Sequence, residues 1–352
     1  MTATRKDVAE MAGTSPSVVS YVLNDGPRSV APETRTRVLA AVDQLGYRPN
    51  RIARSLRMSR TMTLGLVVPD NSNPFFAELA RAIEEAAFAA GYTLLIGNAT
   101  DDEERQATYV RTFLDRQVDG LLLIPAHAPL ACLEELQEAG IPWVVVDRYV
   151  PELAVVAQIL VDNYDGAKRA THHLLDHGYR RIACIAGPPD AAPAPARVAG
   201  WRAALAEQEV TPTDAPLRHA LFGSYAGYQA AYELLSRDRR PDAVFVTSDQ
   251  QALGVLRAVY ELGLRCPGDV AVAAFDGIPA SAYAHPALTT MQQPIIELGR
   301  AAVDALVNRI VHPGADSAVT VLPTRLVARG SCGCPDPPGG ESAGAGVEGR
   351  RV

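Results

Sequence analysis

From Thr63 onward the chain alternates short apolar runs with amphipathic stretches, and this alternation restricts the possible folds more than any other feature. The runs are at 64–68, 93–96, 121–124, 143–146, 182–185, 243–246 and 270–273. Between the first two runs, apolar residues from Phe76 to Ala87 recur at helical spacing. Such short, continuous apolar runs are typical of strands buried in a parallel sheet. The sequence therefore predicts an α/β fold with two doubly wound lobes.

The predicted lobes occupy residues 61–330 and share the chain unequally. The N-lobe takes about 61–160 plus 294–328, where 294–311 is predicted as a helix and 318–328 as a strand returning to the first lobe. The C-lobe takes about 161–292. Residues 331–352 are rich in Pro, Gly and other small residues, so they are predicted to be disordered.

Charge separates the first sixty residues from the rest of the chain. Residues 1–60 contain ten Lys and Arg against five Asp and Glu, a net charge of +5. Because the whole chain has a net charge of −7, the remaining 292 residues carry −12. A basic module on an acidic body is typical of a protein that binds a polyanion. The sequence contains no apolar signal region and five scattered cysteines, which favours a cytoplasmic protein without a disulfide framework.

Residues 1–48 are predicted to form a small all-α, helix-turn-helix head. Thr4 and Asp7 have the spacing of a capping box, and Ser15-Pro16 is a good start for a second helix. A third helix begins near Pro32, although Ala31 is a poor cap. The second helix of such a unit enters the major groove. The alternative is a three-helix bundle that binds protein, and the local positive charge favours DNA.

This region closely resembles the lac-repressor/galactose-repressor family of bacterial transcription regulators. The resemblance rests on the stretches 7–13, 15–24, 32–38 and 45–56 and continues to about residue 330. It implies two lobes of the periplasmic-binding-protein-like type behind the head. It also implies that residues 49–60 form a hinge helix on DNA, with paired Leu56 side chains wedged into the minor groove; the alternative for this segment is a solvated basic linker.

The resemblance and the helix pattern together give a set of predicted DNA-binding residues. They are Ser15, Pro16, Ser17, Ser20, Tyr21, Asn24, Thr34, Tyr47, Asn50, Ala53 and Leu56. The family pattern often has Arg where this chain has Tyr21, and Pro16 has no hydrogen-bonding side chain. We therefore expect an operator preference that differs from the family's usual one.

Polar and aromatic residues that follow the predicted strands form a candidate ligand site in the cleft between the lobes. The set is Asn73, Phe75, Phe76, Asp147, Arg148, Arg197, Phe222, Ser248, Asp276 and Gln293. Planar carboxylate, amide and guanidinium groups pair with vicinal hydroxyls, and aromatic rings cover sugar C–H faces. The pattern resembles the family's sugar-contact set, although Ser248 stands where Asn is usual. Taken singly, each residue also has a structural explanation: Asp147 or Asp276 as a helix cap, Phe75 and Phe76 as core residues, and Arg197 as the partner of a surface acid.

Other interpretations of the sequence involve metal binding, catalysis or a different binding function. His173 and His177 have the spacing of a zinc pair, but histidines on a helix surface are the simpler interpretation. Cys332 and Cys334 could bind a metal, but an incidental pair of cysteines near a chain end is again the simpler interpretation. Phosphate-loop and nucleophile-elbow motifs are missing from the sequence, so we expect neither an enzyme nor a cofactor. A sugar-modifying enzyme and a solute-binding sugar receptor are the rival functions.

The sequence thus predicts a homodimeric transcriptional regulator, in this family usually a repressor. Its partners would be a near-palindromic double-stranded operator and a small effector, a pentose or another monosaccharide, with no membrane. Binding of the sugar would change the affinity for the operator.

Overall fold

A computed structural model describes residues 3–23, 29–47, 60–126, 132–150, 157–209, 215–314 and 318–335. These residues belong to two compact units, Met1–Thr61 and Met62–Val352. Among the described residues, no helix combines the length and apolar character needed to cross a membrane.

The first unit is a three-helix head consisting of α1 (Arg5–Met11), α2 (Pro16–Leu23) and α3 (Pro32–Leu45). Thr4 and Asp7 form the expected capping box, in which the Thr4 side chain accepts from the Asp7 backbone and the Asp7 carboxylate accepts from the Thr4 backbone at 2.7 Å. Gly46 ends α3 with a φ of 58°, a left-handed conformation that glycine adopts without strain. Val8, Val19 and Val38 are fully buried and form the centre of the head's core.

The second unit contains two six-stranded sheets covered by helices. In chain order its elements are β1 (Thr63–Val68), α4 (Pro74–Ala89), β2 (Thr93–Asn98), α5 (Glu103–Asp115), β3 (Gly120–Leu123), α6 (Leu133–Ala139), β4 (Trp143–Val146), β5 (Ala157–Val161), α7 (Asn163–Asp176), β6 (Ile182–Ala186), α8 (Pro193–Glu207), β7 (Leu217–His219), α9 (Ser224–Leu235), β8 (Ala243–Val246), α10 (Asp249–Glu261), β9 (Ala271–Asp276), β10 (Thr289–Gln292), α11 (Ile295–Val311), β11 (Val319–Leu322) and β12 (Arg325–Val327). Short 3-10 turns lie at Pro279–Ala282 and Gly330–Cys332.

The strand order of each sheet confirms the α/β, doubly wound fold. The first sheet has the order β11-β5-β4-β3-β1-β2 and is parallel throughout. The second has the order β12-β10-β9-β8-β6-β7 and is parallel except where β12 runs antiparallel to β10. Apolar residues of α11, among them Leu298 and Leu306, join the core of the first lobe, so the chain returns to that lobe after completing the second.

Two expectations from the sequence are wrong in detail. The segment 318–328 is not one strand of the first lobe, because β11 belongs to the first sheet whereas β12 pairs with β10 of the second. Pro323, between them, cannot donate a ladder hydrogen bond and so breaks the run.

The predicted disorder of 331–352 is also wrong at its start, since 331–335 are described and Ser331 and Cys332 are fully buried. The Ser331 hydroxyl donates to the Val272 carbonyl oxygen at 2.7 Å and accepts from the Thr289 backbone at 2.8 Å. These sheet contacts order residues whose composition resembles that of a disordered tail.

Candidate functional site

The exposed face of α2 carries the predicted base-reading residues. Ser15 precedes the helix, and its hydroxyl accepts from the Val18 backbone at 3.3 Å; Pro16 then fills the first helical position, where a missing N–H costs nothing. Val19 and Val22 turn into the core, Ser17 is exposed, and Ser20 and Tyr21 are half-buried at the edge. The helix therefore buries its apolar side and leaves a polar side at the surface.

The remaining DNA-binding predictions fall in different environments. Thr34 is half-buried in the first turn of α3, where its hydroxyl accepts from the Arg37 guanidinium at 3.5 Å. Tyr47 is only 8% exposed and contributes its ring to the core of the head, so its main structural role is packing. Four of the predicted DNA-binding residues lie outside the described residues, namely Asn24, Asn50, Ala53 and Leu56. Almost all of the predicted hinge helix 49–60 lies outside them as well.

In the two-lobed unit, buried polar side chains converge at the carboxyl ends of the strands. Asp147 and Arg148 follow β4 of the first sheet, Asp276 ends β9 of the second, and Arg197 projects from α8; all four are at most 5% exposed. Arg197 and Asp276 of the second lobe interact electrostatically with Asp147 of the first. These charged groups therefore face one another between the lobes, where the sequence placed the ligand site.

Arg197 and Asp276 form a buried ion pair with well-defined partners. The guanidinium donates to the Asp276 carboxylate at 3.1 Å, to the side-chain oxygen of Asn163 at 2.7 Å and to the Thr247 carbonyl oxygen. Its face also lies 3.8 Å from the centroid of the Phe275 ring. The Gln293 amide donates to the same carboxylate oxygen at 2.9 Å. This network fixes the orientation of both charged groups, because its contacts come from well-separated parts of the second lobe.

Burial changes the proton affinity of the site's charged groups. Burial raises the pKa of Asp276 to about 7, since the opposing attraction of Arg197 does not compensate for the loss of water. Burial likewise raises the pKa of Asp147 and lowers that of Arg148, and the attraction between these neighbours opposes both shifts. The carboxyls and guanidiniums of this set thus offset one another in part, which disfavours a ligand with a large charge of either sign.

Three side-chain atoms of this set have no hydrogen-bond partner among the described residues. They are Asp147 Oδ1, Arg148 Nε and Gln293 Oε1. A buried polar atom without a partner costs about 1–3 kcal/mol, so such atoms are normally satisfied by some other group. Two acceptors and one donor in a cleft form a pattern that a polyhydroxylated molecule can satisfy.

Backbone strain coincides with the two aspartates of the cleft. Asp147 has a φ of 67° and Asp276 a φ of 114°, in the region that favours glycine. Backbone hydrogen bonds hold both, from Asp147 to the Ile159 carbonyl oxygen at 2.9 Å and from Gln293 to the Asp276 carbonyl oxygen at 3.0 Å. Strain of this kind concentrates at binding sites, where it directs a side chain toward its ligand.

The aromatic members of the predicted set are divided between the core and the cleft. Phe75 and Phe76 are buried in the core of the first lobe and pack edge to face at 5.2 Å, while Arg148 lies over the Phe76 ring at 5.4 Å. Phe222 is half-buried and its ring packs on the backbone at Gly187, where an added Cβ would come within 2.0 Å of the ring. Only glycine at 187 permits this close approach.

Asn73 and Ser248 act as helix caps in this structure. The Asn73 side-chain oxygen Oδ1 accepts from the Phe75 backbone N–H at 3.1 Å and caps the start of α4. The Ser248 hydroxyl accepts from the Gln251 backbone at 3.2 Å and starts α10, and the residue is only 1% exposed. Two side-chain oxygens that we expected to contact the ligand therefore accept hydrogen bonds from helix N-termini instead.

Asp249 is an organising residue that the sequence-predicted set omitted. It is fully buried and accepts four hydrogen bonds, from the backbone of Gly277 and Ile278 at 2.8 Å and from the hydroxyls of Ser281 and Thr290 at 2.6 Å. Burial nevertheless raises its pKa to about 6. Asp249 thus fixes the loop that follows Asp276, and its position after a strand was the only sequence signal for this role.

Comparison with known proteins finds two matching family models along the chain. Residues 4–50 match the family model for bacterial regulatory proteins, lacI family, and residues 171–332 match a periplasmic binding protein-like domain. The ribose operon repressor of Escherichia coli strain K12 is 38% identical over 330 residues, covering 94% of this chain and 99% of the repressor. The HTH-type transcriptional repressor PurR of Klebsiella pneumoniae strain 342 is 37% identical, covering 94% and 96%. A solved structure of the lac repressor dimer bound to operator and the anti-inducer ONPF matches with a TM-score of 0.84 and 29% identity, covering 94% of this chain and 99% of that chain.

Proposed function

The chain belongs to the lacI family of bacterial regulatory proteins, and we infer that it represses transcription from an operator for which its affinity is changed by a small sugar. The head supplies the DNA-binding element and the cleft between the lobes supplies the effector site. Because it acts on DNA, we place the protein in the cytoplasm, and we propose no catalytic step for it.

Operator binding by a homodimer follows from the kind of head the chain has. A single helix-turn-helix reads a short half-site, and two heads related by a two-fold axis require a near-palindromic site. The lac repressor structure to which this chain is similar is itself a dimer bound to operator. We assign base contacts to Ser17 and Tyr21 on α2, with phosphate contacts from the basic residues around them.

The observation that supports a sugar effector most strongly is the combination of charge balance and unsatisfied polar atoms in the cleft. Asp147, Arg148 and Gln293 each present a buried polar atom without a partner among the described residues, and beside them Arg197 and Asp276 form a buried ion pair. A neutral molecule with adjacent hydroxyls satisfies donors and acceptors together without adding charge. The similarity to a ribose operon repressor favours a pentose among such molecules.

Binding to DNA from the region upstream of its own gene tests the regulatory function. We expect the full chain to retard this DNA in a gel-shift experiment and to protect a symmetric tract from cleavage. A chain lacking residues 1–60 should bind no DNA while keeping its fold. Equal binding by both proteins would exclude the head as the DNA-binding element.

Thermal-shift screening against pentoses, hexoses and nucleobases tests the effector, since a ligand that binds only the folded protein raises its Tm. The structure offers a matched pair of variants. Gly187→Ala should displace the Phe222 ring and weaken effector affinity about tenfold, which reduces the Tm shift. Gly223→Ala adds a Cβ that meets nothing within 4 Å, so it should leave the Tm shift unchanged.

The screen also separates the rival functions. Binding of a nucleobase but no sugar would overturn the sugar assignment, and consumption of a bound sugar would identify an enzyme. A sugar that binds without changing operator affinity would favour a solute receptor.

A further inference from the structure

Two histidines and two cysteines from distant parts of the sequence form a cluster in the second lobe. His173, His177, Cys332 and Cys334 each offer one ligand atom, and these four atoms all lie within 4.8 Å of one another. In the sequence these are two separate pairs, neither sufficient for a metal site. The fold joins them across more than 150 residues.

Local structure turns each pair toward the other. His173 lies in the last turn of α7 and His177 caps its end, so the i, i+4 spacing places both rings on one face. The two rings pack edge to face with centroids 4.7 Å apart. The cysteines lie at the end of the 3-10 turn Gly330–Cys332, and Gly333 between them has a φ of 99°, a conformation that L residues rarely adopt.

The distances within the cluster correspond to a tetrahedral zinc site. Zinc binds thiolate sulfur at about 2.3 Å and imidazole nitrogen at about 2.0–2.1 Å, so tetrahedral angles separate N from S by roughly 3.6 Å. His173 Nε2 lies 3.1 Å from Cys332 Sγ and 3.7 Å from Cys334 Sγ. His177 Nε2 lies 3.3 Å from Cys334 Sγ. These nitrogen–sulfur separations bracket the expected value within about half an ångström.

Neighbouring side chains hold Cys332 in position. The Thr289 hydroxyl donates to its sulfur at 3.0 Å, a contact of the kind that supports metal-bound thiolates. The Tyr179 hydroxyl also donates to the Cys332 carbonyl oxygen at 3.2 Å, which fixes the backbone of the turn.

We propose that one Zn²⁺ ion is bound by His173, His177, Cys332 and Cys334. The ion would link residues 332–334 to the C-terminal end of α7. Four protein ligands fill the tetrahedral coordination and leave no open position, which is the arrangement of a structural rather than a catalytic zinc. The site is separate from the effector cleft. Asn163, which contacts Arg197 there, begins α7, and His173 lies ten residues further along, about 15 Å at 1.5 Å per residue.

The metal content of the purified full-length protein tests the site directly. The protein is prepared without a histidine tag, loaded with ZnCl₂ and dialysed against a moderate chelator under reducing conditions. We expect about one zinc per chain. Replacement by Co²⁺ should give the intense visible absorption of tetrahedral cobalt and the charge-transfer band of a thiolate ligand.

Matched variants identify the ligands. Cys334→Ser and His177→Ala change residues that are not fully buried, so the chain should still fold, and each should lose the retained zinc and the cobalt spectrum. His172→Ala and Cys266→Ser serve as controls. His172 is the neighbouring histidine on α7 but contacts Glu207, and Cys266 lies beside the turn but contacts the Ser331 carbonyl oxygen. Both controls should keep one zinc.

Stability separates a structural ion from a regulatory one. Zinc should raise the Tm of the wild-type protein and leave that of Cys334→Ser unchanged, with operator and effector affinities altered less than about twofold in either protein. A wild-type chain that retains no zinc, or ligand variants that retain as much as the controls, would overturn the site. A Cys332–Cys334 disulfide in the reduced preparation would also overturn it, and a large zinc-dependent change in operator affinity would overturn its structural role.

Discussion

Asp276 combines three features that ordinarily disfavour an aspartate: complete burial, a positive φ and a carboxylate neighbour in Asp249. Each raises the free energy of the folded state, and strain at such a φ costs on the order of 1–3 kcal/mol. The Arg197 ion pair and the Gln293 amide offset part of this cost. A residue held so unfavourably is expected to serve binding rather than stability.

The raised pKa of Asp276 predicts a particular dependence of stability on pH. Its pKa is about 7 in the folded chain against an ordinary value of 3.8. The unfolded state therefore loses this proton first as pH rises, and the stability that the group contributes below pH 4 is lost by pH 7. Relative to Asp276→Asn, the wild-type protein should lose on the order of 2 kcal/mol of unfolding free energy between about pH 5 and pH 8, measured by urea denaturation.

Asp269→Asn provides the control for that experiment. Hydrogen bonds from Arg265 lower the pKa of the half-buried Asp269 to about 2, so this carboxylate is ionised in both states across the same pH interval. Its effect on stability should not change between pH 5 and pH 8. If the wild-type and Asp276→Asn curves run parallel as well, the buried carboxyl does not titrate as inferred.

Among the elements, α2 carries the proposed sequence recognition, and it is only eight residues long. An isolated helix of this length is not stable in water, so its geometry depends on Val19 and Val22 packing in the head's core. Ser17 lies outside that core and is exposed. The helix can therefore lose this hydroxyl without losing its fold.

Ser17→Ala should weaken binding to the cognate operator by about 1–3 kcal/mol while leaving binding to unrelated DNA nearly unchanged, because a base contact carries sequence information and a phosphate contact does not. Fluorescence anisotropy with the two DNAs measures the difference. Thr36→Ala removes a hydroxyl from α3 that already donates to the Pro32 carbonyl oxygen within its own helix, so it should change neither affinity. Equal losses on both DNAs for Ser17→Ala would place Ser17 on the phosphates instead.

The sequence predicted those elements whose pattern is local. The capping box at Thr4, the long apolar runs of the central strands and the amphipathic α4 are each decided within one stretch of chain. β7 and β12 contain three residues each, too few for a periodic signal, and they form because a neighbouring strand already offers its edge. β5 is buried along its length but was not predicted as a strand, since polar Gln158 interrupts its apolar run.

The position of the candidate site could be predicted from the sequence. Which of its polar side chains face the cleft and which cap a helix could not. Parallel strands bring their carboxyl ends together, so Asp147 and Asp276 could be placed in one cleft from their positions after strands. Whether a polar side chain faces the ligand or caps a helix depends on rotamers, which no spacing encodes. Ser248 and Asn73 are examples, because each satisfies a helix N-terminus that the sequence shows only as a neighbouring segment.

For the whole molecule, the charge asymmetry corresponds to the two compact units. The +5 of residues 1–60 falls within the unit Met1–Thr61, which has its own core, and the −12 falls on the two-lobed unit. Binding of DNA and binding of the effector therefore rest on different physical interactions. The head attracts phosphates through its net positive charge, whereas the cleft holds buried carboxyls and guanidiniums that offset one another in part.

This division predicts that salt will affect the two ligands very differently. Binding that neutralises several phosphates releases their counterions, so operator affinity should fall roughly 10³-fold or more between about 50 and 200 mM KCl. Effector affinity should change by less than about twofold, because a neutral ligand in a buried cleft is hardly screened. Anisotropy titrations with operator DNA and calorimetric titrations with the effector, on one preparation, measure both slopes. A steep slope for the effector would show that it is charged, since a neutral ligand releases no counterions when it binds.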